Sequence, residues 1–281
     1  DEDVTASTID YLNRMGVQKR AGTMSKPFSL SVGFMLPHQP FVARREDFER
    51  FADRVPPPRT PAAFSDDLHP HHKQWRETCG IIDVPDAEAH RARVAYWALV
   101  YRMDVMIGQI LDTLRENGFA EDTLVIYSSD HGEQVGEHGL WWKQTFYDGS
   151  AKVPAIIAWP DHIEAGSRID RVISSLDALG GPPLPTSRGR SLLPLFERTD
   201  AEWEDVAFSE FCTSKGEIQR MVRQGPWKLS YYHGQPSTLF NLAEDPRETS
   251  DRIKDPGCAN IVVELTARVL DGWDPDDVWR Q

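Results

Sequence analysis

Apolar residues first recur at helical spacing at Val4, Ile9 and Leu12, behind the acids Asp1, Glu2 and Asp3, so the chain opens as a helix already under way. A run of apolar and small residues from Phe28 to Met35 reads as a buried strand. It stops at Leu36-Pro-His-Gln-Pro-Phe, where two prolines bracket His38 and place it on a rigid loop at a strand end. From Ala52 to Pro85 the pattern loses its period and gathers prolines, which predicts a long surface excursion. A helical period returns from about Asp86 to Asn117, with Val94, Trp97, Leu99, Val105, Ile110, Leu111 and Leu114 on a broad apolar face and Asn117-Gly118 as its stop. Two apolar runs, Asp122 to Ser128 and Val153 to Trp159, then read as strands. Helix alternating with buried strand predicts an α/β fold: a mainly parallel sheet flanked by helices.

Beyond Leu195 the pattern changes. Val206–Phe211, Gln219–Arg223, Trp227–Tyr232 and Thr238–Leu242 are short strand-like segments separated by turn residues, and one amphipathic helix follows at about Asn260 to Leu270. The chain therefore divides into residues 1–195, an α/β portion, and residues 196–281, a small antiparallel sheet carrying a helix.

Composition narrows the chemistry. The 281 residues carry a formal net charge of -13, which argues against nucleic acid or an anionic membrane as partner, because a phosphate-binding face needs clustered Lys and Arg. An anionic substrate would have to be held by a small focused site. Cys79, Cys212 and Cys258 are too few and too dispersed for a disulfide framework. No apolar run is long enough to span a bilayer, and the compartment, cytoplasmic or periplasmic and secreted, stays open.

Candidate chemistry gathers where the Asp122–Ser128 strand stops. Asp130-His131-Gly132 puts a carboxylate and an imidazole at one strand end, a pair that a divalent cation accepts, although an isolated Asp-His is equally a turn with a satisfied histidine. Ser128, Ser129, Glu133, Gly136, Glu137 and His138 crowd the same segment. Lys143, after Trp141 and Trp142, either fixes an ammonium beside a metal or packs its stem on tryptophan. His38 is either a loop histidine satisfied by backbone or a proton donor. His138 and Trp142 are expected to contact substrate.

The stretch from Thr123 through Ser-Asp-His-Gly-Glu to Lys-Val-Pro-Ala-Ile-Ile157 resembles the sulfatase family, and most closely its choline-sulfatase-like and phosphonate-monoester-hydrolase-like branch. The Pro-His-x-Pro-Phe loop at residues 37–41, the helix Tyr96–Gly118, the segment entering at Gly189 and the Leu239-Phe-Asn-Leu-Ala-Glu-Asp-Pro-Arg-Glu248 turn extend the likeness over nearly the whole chain. The resemblance implies an alkaline-phosphatase-like fold and a sulfuric ester hydrolase acting on a small-molecule or saccharide sulfate. It also implies Asp130 and His131 as metal ligands, Lys143 as the cation touching ester and nucleophile, and His38 as donor to the leaving oxygen. The metal expected is Ca²⁺, with Mn²⁺, Mg²⁺ and Zn²⁺ as rivals. Many sulfatases carry Asn after the metal Asp, so His131 favours the branch that includes phosphonate and phosphodiester hydrolases.

Two departures bear on activity. The family's nucleophile is a formylglycine made from a Cys/Ser-x-Pro-x-Arg motif, and no cysteine or serine of this sequence carries it; Ser25-Lys-Pro-Phe-Ser lacks the arginine. A missing N-terminal segment is therefore an expected partner, with a non-catalytic remnant or one piece of a two-piece enzyme as alternatives. At Ser174-Ser-Leu-Asp-Ala-Leu-Gly-Gly the family's Asp-x-x-Pro-Thr turn and helix are skipped. The C-terminal tail, with Trp273 and Trp279 among acids, either docks on a second copy to form a homo-oligomer or packs back on its own sheet.

Overall fold

A computed structural model describes residues 1–60, 68–174, 191–197, 201–212 and 217–278. The skipped turn after Ser175 and the Gly189 segment's entry fall outside the described residues, as does Trp279. Contacts divide the chain into two units that interleave along the sequence, and neither is a continuous stretch.

The first unit comprises Asp1–Pro57, Asp83–Ser128 and Pro154–Gly166. It holds α1 (Glu2–Arg20), α2 (Arg45–Phe51), α4 (Asp86–Glu116), β1 (Val125–Ser128) and β2 (Ala155–Ala158). Helices α1 and α4 meet at Gly16, where a Cβ would lie 1.8 Å from Asn117 Oδ1, so only glycine lets Asn117 bridge them. Its Nδ2 donates to Asn13 Oδ1 at 2.9 Å. Leu12, Leu114 and Phe119 form the core here, with Phe28 set edge-on to Phe119 at 5.2 Å.

Three expectations change. The Phe28–Met35 run forms no strand: among the described residues it has no ladder partner. The broad face of α4 is in part exposed: Trp97 and Leu111 are 40% and 37% accessible, and the buried stripe runs instead through Val94, Ala95, Ala98, Leu99, Met103 and Met106. The pair β1–β2 is antiparallel, Val125 opposite Ala158 and Ser128 opposite Ala155, where parallel neighbours were expected. A parallel pair needs a long crossover, usually a helix that carries the chain back to the starting end. The segment between these strands contains only a 3₁₀ turn and the four-residue α5 (Asp148–Ala151), so the chain re-enters at the end it left. These strands are also half exposed, Ile126 at 58% and Ile156 at 61%.

The second unit comprises Pro58–Ile82, Ser129–Val153 and Ser167–Gln281. After the short α6 (Leu193–Glu197), its frame is an antiparallel meander of β3 (Val206–Cys212), β4 (Ile218–Gln224), β5 (Trp227–Tyr232) and β6 (Thr238–Asn241), with α7 (Ala259–Leu270) packed on one face. Val222, Leu229, Leu239, Cys258, Leu265 and Val269 fill the space between sheet and helix. This is the antiparallel sheet with a helix that the turn spacing predicts. The region expected to be a surface excursion contains α3 (Pro70–Cys79), with His71 and His72 buried at 2% accessibility. His69 begins α3, its ring accepting from the His71 amide, and Pro70 suits the first helical position. The first tail tryptophan, Trp273, lies edge-on to Tyr231 at 6.0 Å and beneath the Arg220 guanidinium. No helix among the described residues is long and apolar enough to cross a membrane.

Candidate functional site

Strand β1 ends at Ser128 and the chain runs directly into Ser129-Asp130-His131-Gly132. Asp130 folds back on its own turn: Oδ1 accepts from the His131 amide at 3.0 Å and from Ser129 Oγ at 3.3 Å, while Oδ2 lies 3.4 Å from His131 Nε2. Partial burial raises the Asp130 carboxyl, but the imidazole beside it and these hydrogen bonds outweigh that and hold it below the ordinary carboxylate value. Lys143 Nζ stands 2.8 Å from the same His131 nitrogen, and His131 Nδ1 lies 2.8 Å from the Gly132 carbonyl.

The Lys143 and Gly132 contacts together favour one tautomer. A lysine ammonium only donates, so Nε2 accepts, the ring proton sits on Nδ1, and Nδ1–H donates to the carbonyl. A metal-bound imidazole has the same arrangement: one nitrogen offers its lone pair and the other is tied by a hydrogen bond that sets the ring. A carboxylate oxygen and the imidazole nitrogen that Lys143 contacts thus converge, with the Asp130 side chain 83% exposed. They fit one side of a divalent ion's shell. Among the described residues no group of three His, Cys, Asp or Glu side chains gathers as a complete metal site.

The loop from residue 129 to 152 owes its shape to side chains that bond backbone. Glu133 Oε1 accepts from the Val135 and Trp142 amides, and the Glu137 carboxylate accepts from the amides of Arg59 and Thr60 and from Thr60 Oγ. Buried Gln134 donates to Thr145 Oγ1 at 2.6 Å. Three non-glycine residues are left-handed, Val135 at φ 46°, His138 at 55° and Trp142 at 67°. Such conformations persist only where surroundings over-determine them, and they concentrate at functional sites. Gly132 is required by close approach: a Cβ there would sit 2.2 Å from the Gly149 carbonyl.

The remaining expected residues fall in different places. His138 is 4% exposed and stacked on Tyr147, ring centroids 3.9 Å apart, and burial lowers its pKa to about 4. It is packed against Tyr147 inside the unit. Trp142 is half-buried, edge-on to Trp75 at 6.0 Å. His38 belongs to the other unit; both neighbouring X-Pro bonds are cis, its amide donates to Met35 O, and its Nδ1 lies 2.7 Å from Gln39 O. Sequence reasoning noticed Glu133 without giving it a role, and missed Gln134 and Ser150, which shape the loop, and Lys228, which anchors it. The readable signal was the Gly132 and Gly149 pair flanking the loop, together with Glu248 at the end of the late turn motif.

A family model described as Sulfatase matches residues 1–180. The chain belongs to the sulfatase family. A second model, the C-terminal part of N-sulphoglucosamine sulphohydrolase, matches residues 136–273 of this sulfatase chain. It is 33% identical over 244 residues to the choline-sulfatase of Rhizobium meliloti (strain 1021), covering 82% of this chain and 47% of that protein. It is 32% identical over 265 residues to arylsulfatase K of Rattus norvegicus, covering 81% and 46%. The chain thus spans about half the length of the curated relatives it matches. Among solved structures, the phosphonate monoester hydrolase of Silicibacter pomeroyi superposes with a TM-score of 0.76 at 21% identity, over 93% of this chain and 59% of that one. The fold is therefore the α/β fold of sulfatases and their alkaline-phosphatase-like relatives.

Proposed function

We propose that this chain is part of a metal-dependent sulfuric ester hydrolase, to which it contributes Asp130, His131 and Lys143. The supporting observation is the convergence of Asp130 Oδ2 and Lys143 Nζ on one imidazole nitrogen of His131. Asp130 and His131 hold the ion. Ca²⁺ suits the oxygen-rich half of such a site, and the imidazole keeps Mn²⁺, Mg²⁺ and Zn²⁺ as rivals. When bound, the ion supplies positive charge that polarises an ester oxygen. Lys143 donates to an anionic oxygen of the ester. His38 donates to the leaving oxygen, its ring set by the bond to the Gln39 carbonyl. The nucleophile, a formylglycine, lies outside these 281 residues. The division at residue 195 into a catalytic portion and a C-terminal sheet-plus-helix subdomain belongs to the same reading.

One observation favours a second reading, a phosphonate monoester or phosphodiester hydrolase: histidine follows the metal aspartate where many sulfatases carry asparagine. The test is turnover by the protein at the length of its relatives, supplied with Ca²⁺ or Mn²⁺, on aryl sulfate, choline sulfate, a phosphonate monoester and a phosphodiester. The expected result is fastest turnover of a sulfate ester, reduced about 100-fold or more by Asp130→Ala or Lys143→Ala. Faster turnover of the phosphorus esters moves the assignment to the second reading. No turnover of any of the four, with metal and aldehyde both verified by mass spectrometry, overturns both readings in favour of a non-catalytic remnant.

A further inference from the structure

A buried cation, unused by this chemistry, stands behind the loop. Lys228 of β5 is 1% exposed, and three oxygens surround its ammonium: the Phe146 carbonyl at 2.8 Å, Asp148 Oδ1 at 2.6 Å and Glu248 Oε1 at 2.5 Å. The other oxygen of Glu248 accepts from the Asp148 amide at 2.6 Å, so the first residue of α5 is held by both side chain and backbone. Within α5 lies Ser150, 2% exposed. Its Oγ donates to the Lys143 carbonyl at 2.5 Å, and its own carbonyl accepts from the Gly132 amide at 2.7 Å. One residue therefore fastens the backbone of Lys143 and the backbone next to His131 to the same short helix.

We propose that Ser150, braced by the Lys228, Asp148 and Glu248 ion cluster, is a positioning residue that sets the distance between Lys143 and the Asp130–His131 pair. This rests on the reading above, in which those three groups face the reacting ester. A lysine ammonium rides on a four-carbon stem, so its place is defined only if the stem starts from a fixed backbone. The bond from Ser150 fixes that start on one side of the site, and the bond to Gly132 fixes the opposite side. The buried cluster keeps α5 from sliding, since moving Asp148 away would strip the buried Lys228 of one of its two carboxylate partners. Neither Ser150 nor Lys228 touches substrate in this arrangement.

The experiment uses the protein at the length of its relatives, loaded with Ca²⁺, and compares it with Ser150→Ala, which removes the hydroxyl and keeps the carbonyl bond to Gly132. Displacing a positioned group by about 1 Å costs about 10- to 100-fold in rate, so kcat for the sulfate ester falls by that factor. KM, and the Ca²⁺ Kd from calorimetry, stay within about 3-fold, and the melting temperature moves little. If Ser150→Ala does not fold, Asp148→Asn, which weakens the hold on α5 while keeping an oxygen toward Lys228, is read by the same split. An unchanged kcat, or a proportional fall in kcat, Ca²⁺ affinity and melting temperature, overturns the positioning role. A wild-type protein that neither binds Ca²⁺ nor turns over an ester sinks the underlying reading; an active wild type with an equally active Ser150→Ala sinks only this inference.

Discussion

The second unit contains two regions held together in opposite ways. The β3–β6 meander follows simple rules: alternating strands, uninterrupted ladders, and an apolar layer shared with α7. The 129–152 loop has almost no ladder, three strained non-glycine residues, and backbone groups bonded by Glu133, Glu137, Gln134 and Ser150. Ladders tolerate side-chain change because backbone carries them. A loop shaped by side chains can hold geometry that no regular element offers, but each tie depends on one residue type. In this unit the regular region also serves the irregular one, because Lys228 of β5 neutralises Asp148 at the start of α5.

The sharpest way to break this contrast is Lys228→Met, which leaves two acidic groups in the interior without their cation. Burial and nearby Lys228 act in opposite directions on both: for Glu248 burial prevails and its pKa rises, whereas for Asp148 Lys228 prevails and its pKa falls. Loss of the cation is expected to cost about 3–5 kcal/mol in urea unfolding. A cost below about 1 kcal/mol would show that the loop does not lean on the sheet.

Leu265→Ala probes the sheet alone. Leu265 is fully buried between sheet and helix, and its truncation should cost about 2–5 kcal/mol while kcat of the folded protein holds. Acid comes next. His69, His71, His72 and His138 are buried, and desolvation lowers each one below the ordinary 6.5, His138 to about 4. The unfolded chain therefore binds protons that the folded one refuses, and stability present above pH 6.5 declines as pH falls toward 4. His138 alone contributes on the order of 3 kcal/mol of that decline. Glu248 and Asp251, whose pKa values burial raises, work in the opposite direction, two carboxyls against four imidazoles. Urea midpoints at pH 7.5 and 5 measure the net slope, and a flat profile would contradict the burial of these rings.

Gly132→Ala is the mildest in stability and the most selective in function. Its Cβ must displace the Gly149 carbonyl at 2.2 Å, which should cost about 1–3 kcal/mol yet remove nearly all ester turnover. Activity retained in this variant would mean that the loop can shift without consequence.

Periodicity carried the regular half of the fold. Helix α4, all four meander strands and α7 lie within a residue or two of where apolar spacing and turn residues place them. What it could not carry was pairing direction and context. The runs at β1 and β2 are equally apolar in a parallel or an antiparallel sheet, and only the pairing itself shows the direction. His71 and His72 looked like loop residues because a helix whose buried face is built from imidazoles shows no apolar period. Within the site, resemblance picked out Asp130, His131 and Lys143, and the structure brings these three together. His138 in the same motif is spent on stacking against Tyr147, a role its position in sequence cannot reveal.

Lys228 and Glu248 lie far along the chain from the loop whose α5 they grip. Anyone transplanting residues 129–152 into a foreign scaffold would carry off the ligand pair and its lysine without the cation and acid beneath them. A successful graft has to bring β5 and the turn ending at Glu248 with it, which makes the smallest portable unit a site together with its foundation.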